Sequence, residues 1–582
     1  MISLSENSMK VLQRRYLLKD AGGKIIESPD ELFRRTAKSV AYAETFWGKH
    51  GDQKKWEEKF YHIMSTLLFL PNSPALMNAG TRNNQLSACF VLPVEDSMNA
   101  IFTTLKNAAL IQQSGGGTGF NFSHLRPMND LVSDTGGIAS GPVSFMKIFN
   151  SATEYIKQGG KRRGANMGIL DINHPDVEGF ISSKKEKGVL TNFNISIAIT
   201  NEFMSAVGRD SEWDLVHPNL NTCVKKVNAR KLWMDIVENA WKTGDPGLIF
   251  IDTINGDNPT PGLGKIESTN PCGEVPLLPY ESCNLGSINL SRVAKENGDI
   301  NEIDWELLET VIHIAIRFLD DVIDVNKYII PEIKEITLGN RKIGLGVMGW
   351  AELLIMLNIP YDSEDAIQLA EKIMQFIEIK SMEASMMLAE ERGAFPNWDK
   401  SIYYPKTPIR NATRTSIAPT GTISIIADTS SSIEPLFALA FQRQHVLNGE
   451  TLFSINPVFI NYLKTHNLYS DKIKEQVIKE GIAGQIEELS QPVKHLFKTA
   501  LEISPFRHLQ HQLAFQKYTD NAVSKTINLP ESATIDDVEK IYKSAWLQKA
   551  KGITIFRYHS KDKQVMHRGI KYGIKDCKVC IE

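Results

Sequence analysis

The chain has 582 residues, 42% of them hydrophobic, 23% charged and 8% aromatic, with a formal net charge of −3. That balance suits a globular protein with a sizeable core and excludes the strong basic excess of a protein that coats nucleic acid. The most apolar stretch, 343–357, is broken by three glycines and Glu352, and it falls short of the roughly 20 residues a membrane span needs. The opening Met-Ile-Ser-Leu-Ser-Glu-Asn lacks the charged-then-apolar profile of a signal peptide, so cytoplasm is the expected compartment.

In chain order, residues 1–70 read as helical. Pro29-Asp-Glu-Leu-Phe opens one run, and 56–70 carries apolar residues at helical spacing. From Pro71 short β-rich runs (89–93, 194–200) alternate with long helical stretches, of which 99–113 and 305–328 are the clearest. Strands alternating with helices over hundreds of residues predict a βα architecture with parallel strands. From Tyr558 the chain turns polar, basic and glycine-dotted, a composition that buries little surface and is expected to stay mobile.

The six cysteines carry most of the chemical signal. They are too few to staple a chain of this size. Cys272 lies in Asn270-Pro-Cys-Gly-Glu274, Cys283 follows eleven residues later, Cys89 lies far upstream, and Cys577 and Cys580 form a Cys-x-x-Cys pair near the C-terminus. Cys223 is outside this pattern and reads as a buried small hydrophobe. The tail pair supplies only two of the four ligands of a structural zinc site, which leaves half a site shared by a dimer as the metal alternative.

In an extended segment Asn270, Cys272 and Glu274 would share a face. A carboxylate beside a thiol raises the thiol pKa, which argues against an ionic cysteine nucleophile and suits hydrogen-atom transfer. Glu274 is then a candidate general base on a substrate hydroxyl that Asn270 holds. Pro419-Thr-Gly-Thr-Ile-Ser424 offers a glycine- and hydroxyl-rich turn whose backbone N–H groups could bind phosphate if a helix begins there, though it is not a P-loop. Gly159-Gly-Lys-Arg-Arg-Gly-Ala165 joins a flexible backbone to three cations. Ser114-Gly-Gly-Gly-Thr-Gly119 permits close backbone approach, more plausibly for packing than for a ligand.

Together these segments resemble the catalytic subunit of ribonucleotide reductase over residues 5–558. Asn-Pro-Cys-Gly-Glu, Ser282-Cys-Asn-Leu-Gly-Ser-Ile-Asn289 and Pro-Thr-Gly-Thr-Ile-Ser look like that family's finger loop, redox strand and phosphate loop. The resemblance implies a ten-stranded α/β barrel of two five-stranded parallel halves antiparallel to each other. It also implies a helical region over 1–70 without an ATP-cone, a catalytic barrel over 71–557, and a flexible tail over 558–582. Details resemble the adenosylcobalamin-dependent class. The 551–557 stretch lacks the tyrosine pair of the oxygen-dependent class, which is the alternative reading, and 568–573 does not match a glycyl-radical motif.

The resemblance implies a thiyl radical at Cys272, a base in Glu274 with Asn270 beside it, and reducing thiols in Cys89 and Cys283 that Cys577 and Cys580 regenerate from a thioredoxin-like reductant. It places substrate, a ribonucleoside diphosphate by likeness to this branch, against Ser73, Ala88, Cys89, Asn270, Pro419, Thr420, Gly421, Thr422 and Ile423. A deoxynucleoside triphosphate effector would sit against Asp96, Ser97 and Arg126, with Lys161, Arg162 and Arg163 in the loop that relays its identity. A homodimer is expected, and no protein-ligated metal. The rival from another class, a nucleotide-binding regulatory protein, has no use for the full cysteine and glutamate set.

Overall fold

The computed structural model describes residues 4–48, 52–132, 136–158, 162–186, 188–297, 300–446, 450–558, 560 and 566–570. Five strands come first: β1 (Cys89–Val91), β2 (Gly117–Asn121), β3 (Asn166–Asp171), β4 (Phe193–Ile199) and β5 (Gly247–Phe250). Each is parallel to the next. The second half contains β6 (Ser282–Asn289), β7 (Ile343–Met348), β8 (Thr526–Leu529) and β9 (Gly552–Arg557), with β6 parallel to β7 and β8 parallel to β9.

Between β7 and β8 runs an extended segment through Thr415 and Ile417, joined in parallel to Leu345 on one side and to Val523 on the other. It supplies the fifth stave of this half. Two antiparallel seams close the ring: β6 meets β1 with Cys283 opposite Cys89, and β9 meets β5 with Ile553 opposite Leu248. The expected barrel of two antiparallel five-stranded halves is therefore present. β6 and β7 are buried along their whole length, as strands covered on both faces must be.

Side-chain alternation sorts each strand between two environments. Phe90 of β1 joins the outer core shared with the helices of the first half, whereas Cys89 and Val91 join an inner cluster with Val275, Leu277, Cys283, Leu285 and Ala418. The helices Pro29–Ala41 and Trp305–Val325 pack in a second outer core behind β6 and β7. The former starts with a capping box, in which Ser28 and Glu31 satisfy each other's backbone N–H groups, and with a proline in its first turn.

Some local expectations needed correction. The helical reading of 56–70 ends early: the helix is Asp52–Ser65, and Phe69–Pro71 is a strand paired with the outer half of β6. Barrel pairing overrides the helical spacing of its apolar residues. The helix expected over 305–328 stops at Val325. Cys223 is exposed, not buried, at the start of a strand in a two-stranded hairpin whose side chains mostly face solvent. Part of the polar tail is also structured. Met566–Arg568 pairs with Ala440–Val446, Ile570 is buried, and Gly569 adopts φ +71° where a side chain would strike the Lys479 carbonyl. Cys577 and Cys580 lie outside the described residues.

Glycines decide how closely the interior is filled. A Cβ on Gly119 would overlap the Thr269 carbonyl oxygen, and one on Gly117 would lie 3.0 Å from Pro271 Cγ. The loop that carries Cys272 thus lies directly on the backbone of β2. Gly119→Ala is expected to destabilise the chain by about 3 kcal/mol, read as a lowered midpoint in urea unfolding. A midpoint unchanged from the parent would show that the loop does not need this backbone contact.

Candidate active site

The segment around Cys272 is a hairpin inserted into the barrel. Ser268–Thr269 pairs antiparallel with Pro276–Leu277, and residues 270–275 form the tip. The tip is a tight turn and not the extended segment the alternation argument assumed. Gly273 N–H donates to Asn270 O at 3.1 Å, and Gly273 takes φ +82°, a conformation glycine adopts without strain. The turn splits the three polar side chains. Asn270 and Glu274 are buried, while Cys272 is accessible.

Hydrogen bonds from three other segments fix the tip. Asn194 on β4 donates to Pro271 O at 2.8 Å. On the other side, Glu274 O accepts from Ser416 Oγ and from Ala522 N–H, both at 2.9 Å. Asn270 is held at both ends: its Oδ1 accepts from Val275 N–H at 3.0 Å, and its Nδ2 lies 3.1 Å from Cys89 Sγ. Asn194, Ser416 and Ala522 were not singled out from the sequence. Their contacts run between distant segments and leave no local pattern.

Cys89 and Cys283 face each other across the antiparallel seam, which places their Cα atoms about 4.5–5.5 Å apart. That separation lies within the range a disulfide spans without backbone movement. None of the four described cysteines is in a disulfide. Burial, reinforced by Glu274, Cys283 and Cys272, pushes the Cys89 thiol well above its ordinary pKa. Burial likewise raises Cys283, against the pull of Lys342. Both sulfurs therefore stay protonated at neutral pH. Lys342 is itself buried, with its ammonium 2.7 Å from Glu281.

Glu274 is a buried carboxylate beside these thiols, without the ammonium partner that Glu281 has in Lys342. Burial raises its pKa to about 7, with Asn270 pulling the other way. Its Oε2 has no hydrogen-bond partner among the described residues. An unsatisfied carboxylate oxygen inside a protein is costly, and a substrate hydroxyl would satisfy it. Asn270, Cys272, Glu274, Cys89 and Cys283 are thus brought together as expected.

A cavity of about 740 Å³ opens on Cys272 and Gly273 and is lined further by Pro419, Ser424, Phe437 and Phe556. The turn at 419–424 reaches this cavity. Thr420 takes φ +52°, and a helix does begin after Thr422, but it runs only from Ile423 to Ile426. Gly421 has open space around it, so no packing requirement explains it. Of the remaining substrate candidates, Ala88 sits in the seam, donating its N–H to Cys283 O at 3.1 Å. Ser73 starts a short helix, and its hydroxyl is 2.7 Å from Tyr16 Oη.

The effector candidates form a separate group. Arg126 Nε lies 2.8 Å from Asp96 Oδ2, which also accepts from Asn219 at 2.7 Å. Ser97 caps the helix Met98–Ser114. Arg162–Arg163 pairs with Lys157–Gln158 as a short hairpin, and Lys161 lies outside the described residues. His124, not anticipated, bridges Glu95 and Glu267 at 3.2 and 3.1 Å. Hydrogen bonding to Glu267 raises its pKa to about 9. This cation joins the effector group to the strand from which the Cys272 hairpin springs.

Comparison with known proteins assigns the family. The ribonucleotide reductase barrel domain matches residues 87–407 and 403–556, and the ribonucleotide reductase all-alpha domain matches 2–84. A vitamin B12-dependent ribonucleoside-diphosphate reductase of Thermoplasma acidophilum is 49% identical over 98% of this chain and 81% of its own length. The protein of the same name from Mycobacterium tuberculosis (strain CDC 1551) is also 49% identical, over 97% of this chain and 81% of its own. Among solved structures, the alpha subunit of the Actinobacillus ureae class Id ribonucleotide reductase aligns with a TM-score of 0.78 at 25% identity, covering 96% of this chain and 97% of that one. With barrel and helical domains both matched in order, the chain belongs to the ribonucleotide reductase large-subunit family.

Proposed function

We propose that this chain reduces ribonucleoside diphosphates to 2′-deoxyribonucleotides with adenosylcobalamin as its radical source. The observation that carries this reading is the convergence of Cys89, Cys283, Asn270 and the unsatisfied Glu274 beneath an accessible Cys272 at the mouth of one cavity. The barrel alone does not separate this from a class I reading, since the solved neighbour is a class Id subunit. The names of the 49% identical relatives favour cobalamin.

The cavity fits such a cofactor chemically. A corrin has apolar faces and a rim of amides. The wall offers Leu248, Ile249, Phe437 and Phe556 for the faces, and Asn456 and Gln512 for the rim. Gln512 is buried and donates to Gly552 O at 2.7 Å, yet its Oε1 is without a partner among the described residues, ready to accept from an amide. When bound, adenosylcobalamin supplies the radical that takes the hydrogen atom from Cys272 Sγ.

The chain's own groups do the rest. Cys272 removes the ribose 3′-hydrogen atom while Glu274 Oε2 takes the proton of the 3′-hydroxyl. Cys89 and Cys283 enter as thiols. Together they give up two protons and two electrons, the 2′-hydroxyl departs as water, and a disulfide remains across the seam. Cys272 then returns its hydrogen atom to C3′, and Glu274 returns its proton to the 3′-oxygen. The buried seam keeps water from the radical and keeps both thiols protonated until needed. In this reading residues 1–70 buttress the barrel of 71–557, and Cys577 and Cys580 in the tail of 558–582 reduce the seam disulfide by exchange before a thioredoxin-like partner resets them.

Asp96, Ser97 and Arg126, with the 161–163 loop, hold the effector in this account. A homodimer forms nearby, supported by the exposed apolar side chains Met98, Phe102, Ile148 and Tyr155 on the helices Met98–Ser114 and Gly141–Tyr155. No described helix is long and apolar enough to cross a membrane, and cytoplasm is the compartment proposed.

Purified chain given adenosylcobalamin, a nucleoside diphosphate and a small dithiol is expected to form deoxynucleotide without a second protein, and Cys272→Ser to form none. A requirement for a radical-generating partner would refute the cobalamin assignment. Because Glu274 is protonated below about pH 7, kcat should rise with pH through that value. Glu274→Gln should lose at least about 100-fold in rate and the acidic limb with it. Cys577→Ser should keep dithiol-driven turnover and lose thioredoxin-driven turnover, compared in the two assays side by side.

A further inference from the structure

The N-terminal helix Glu6–Val11 lies against the 419–432 turn, 417 residues away in sequence. Ser8 is fully buried, and its hydroxyl lies 2.7 Å from Ile425 O and 2.9 Å from Ile426 O. These are carbonyls of the one-turn helix, which is too short to satisfy them internally. Ser5 caps its own helix by accepting from Ser8 N–H at 3.1 Å. It also binds Asp428 twice, through its backbone N–H at 3.0 Å and through its hydroxyl. Val11 and Leu12 bury their side chains in the same core as Ile423, Ile426 and Ala427.

The turn needs such support. Thr420, Asp428 and Ser432 all take positive φ, between +51° and +52°, a backbone state that persists only where neighbours enforce it. From the barrel side Glu352 accepts from Ser430 N–H at 2.8 Å and from Thr429 Oγ1. Ser432 N–H ties back to Thr420 Oγ1 at 2.7 Å. The N-terminal helix grips the opposite side, and it also brings Asn7 to the wall of the cavity that Cys272 opens on.

We propose that this helix is a working part of the nucleotide site, with Ser5 and Ser8 as positioning residues that hold the turn in its ligand-ready shape. The proposal rests on the reading of that turn as the phosphate loop. The test pairs steady-state kinetics with amide hydrogen exchange on the intact chain. Ser8→Ala is expected to raise KM for the nucleoside diphosphate about fivefold, the loss of one neutral hydrogen bond, with a smaller change in kcat and no change in effector affinity. Ser5→Ala should shift KM in the same direction, and Ser5→Thr, which also caps and donates, should restore it. In both alanine variants the amides of 420–432 should exchange faster without nucleotide, while those of β4 keep their rates. Wild-type exchange across 420–432, or acceleration that spreads through β4, would overturn the clamp. Exchange is read without substrate, so a wild-type chain that reduces no nucleotide defeats the functional reading separately.

Discussion

The contact from Asn270 Nδ2 to the Cys89 sulfur ties the tip of the central hairpin to the seam where the two half-barrels meet. Every other feature of the site depends on that junction. Antiparallel pairing there sets two thiols face to face, whereas parallel neighbours within either half would not need to meet. The hairpin reaches the seam because Gly117 and Gly119 leave β2 bare where it passes. One steric allowance and one seam thus bring two buried sulfurs and a buried carboxylate, from segments nearly two hundred residues apart, beneath the accessible Cys272.

Dryness sets the chemistry. Burial raises the pKa of Glu274 and of both seam thiols, because water is not there to solvate their charged forms. In the proposed reaction the thiols act as neutral hydrogen and proton donors, and the carboxylate, with its pKa raised to about 7, acts as the base. The same burial would be ruinous for a cysteine acting as an anionic nucleophile. Behind the barrel the logic differs. Arg392 meets Asp321 at 2.6 Å and Glu44 at 2.8 Å, and Asp320 receives Arg341 at 2.8 Å. Burial opposes the charge on Asp320, but Arg341 and Arg410 hold its pKa well below the usual carboxylate range. Such a network adds little net stability over an apolar core, yet losing one member costs about 3–5 kcal/mol. It joins Glu44 of the N-terminal region to the helix Trp305–Val325 and to Arg392.

The chemistry of the site was legible in the sequence because its residues are of unusual type in short fixed patterns. Cys272 with Asn270 and Glu274, and Cys283 in the strand that follows, could be read before any fold was known. Alternating strands and helices made a βα architecture legible, and the family resemblance implied the barrel, although its closure through the segment at Thr415 and Ile417 left no periodicity to read. Asn270, Cys272 and Glu274 do not share a face as they would in an extended segment, because the chain turns tightly at Gly273. Cys223 was misplaced because residue type alone says nothing of an exposed hairpin. Glu352 did leave a signal, a lone carboxylate in the most apolar stretch of the chain, and it accepts from the Thr429 hydroxyl and the Ser430 N–H. Ser8 and Ser416 left none. Each acts through one hydroxyl on a segment far away in sequence.

The central claim is that the seam between the half-barrels is the place where electrons leave the protein. Peptide mapping after a single turnover of the pre-reduced Cys577→Ser, Cys580→Ser chain, without external reductant, tests it most directly, with free thiols alkylated before digestion. The account predicts one new cross-linked peptide pair, Cys89 to Cys283, in proportion to deoxynucleotide formed. Deoxynucleotide formed while Cys89 and Cys283 both remain alkylatable would contradict it.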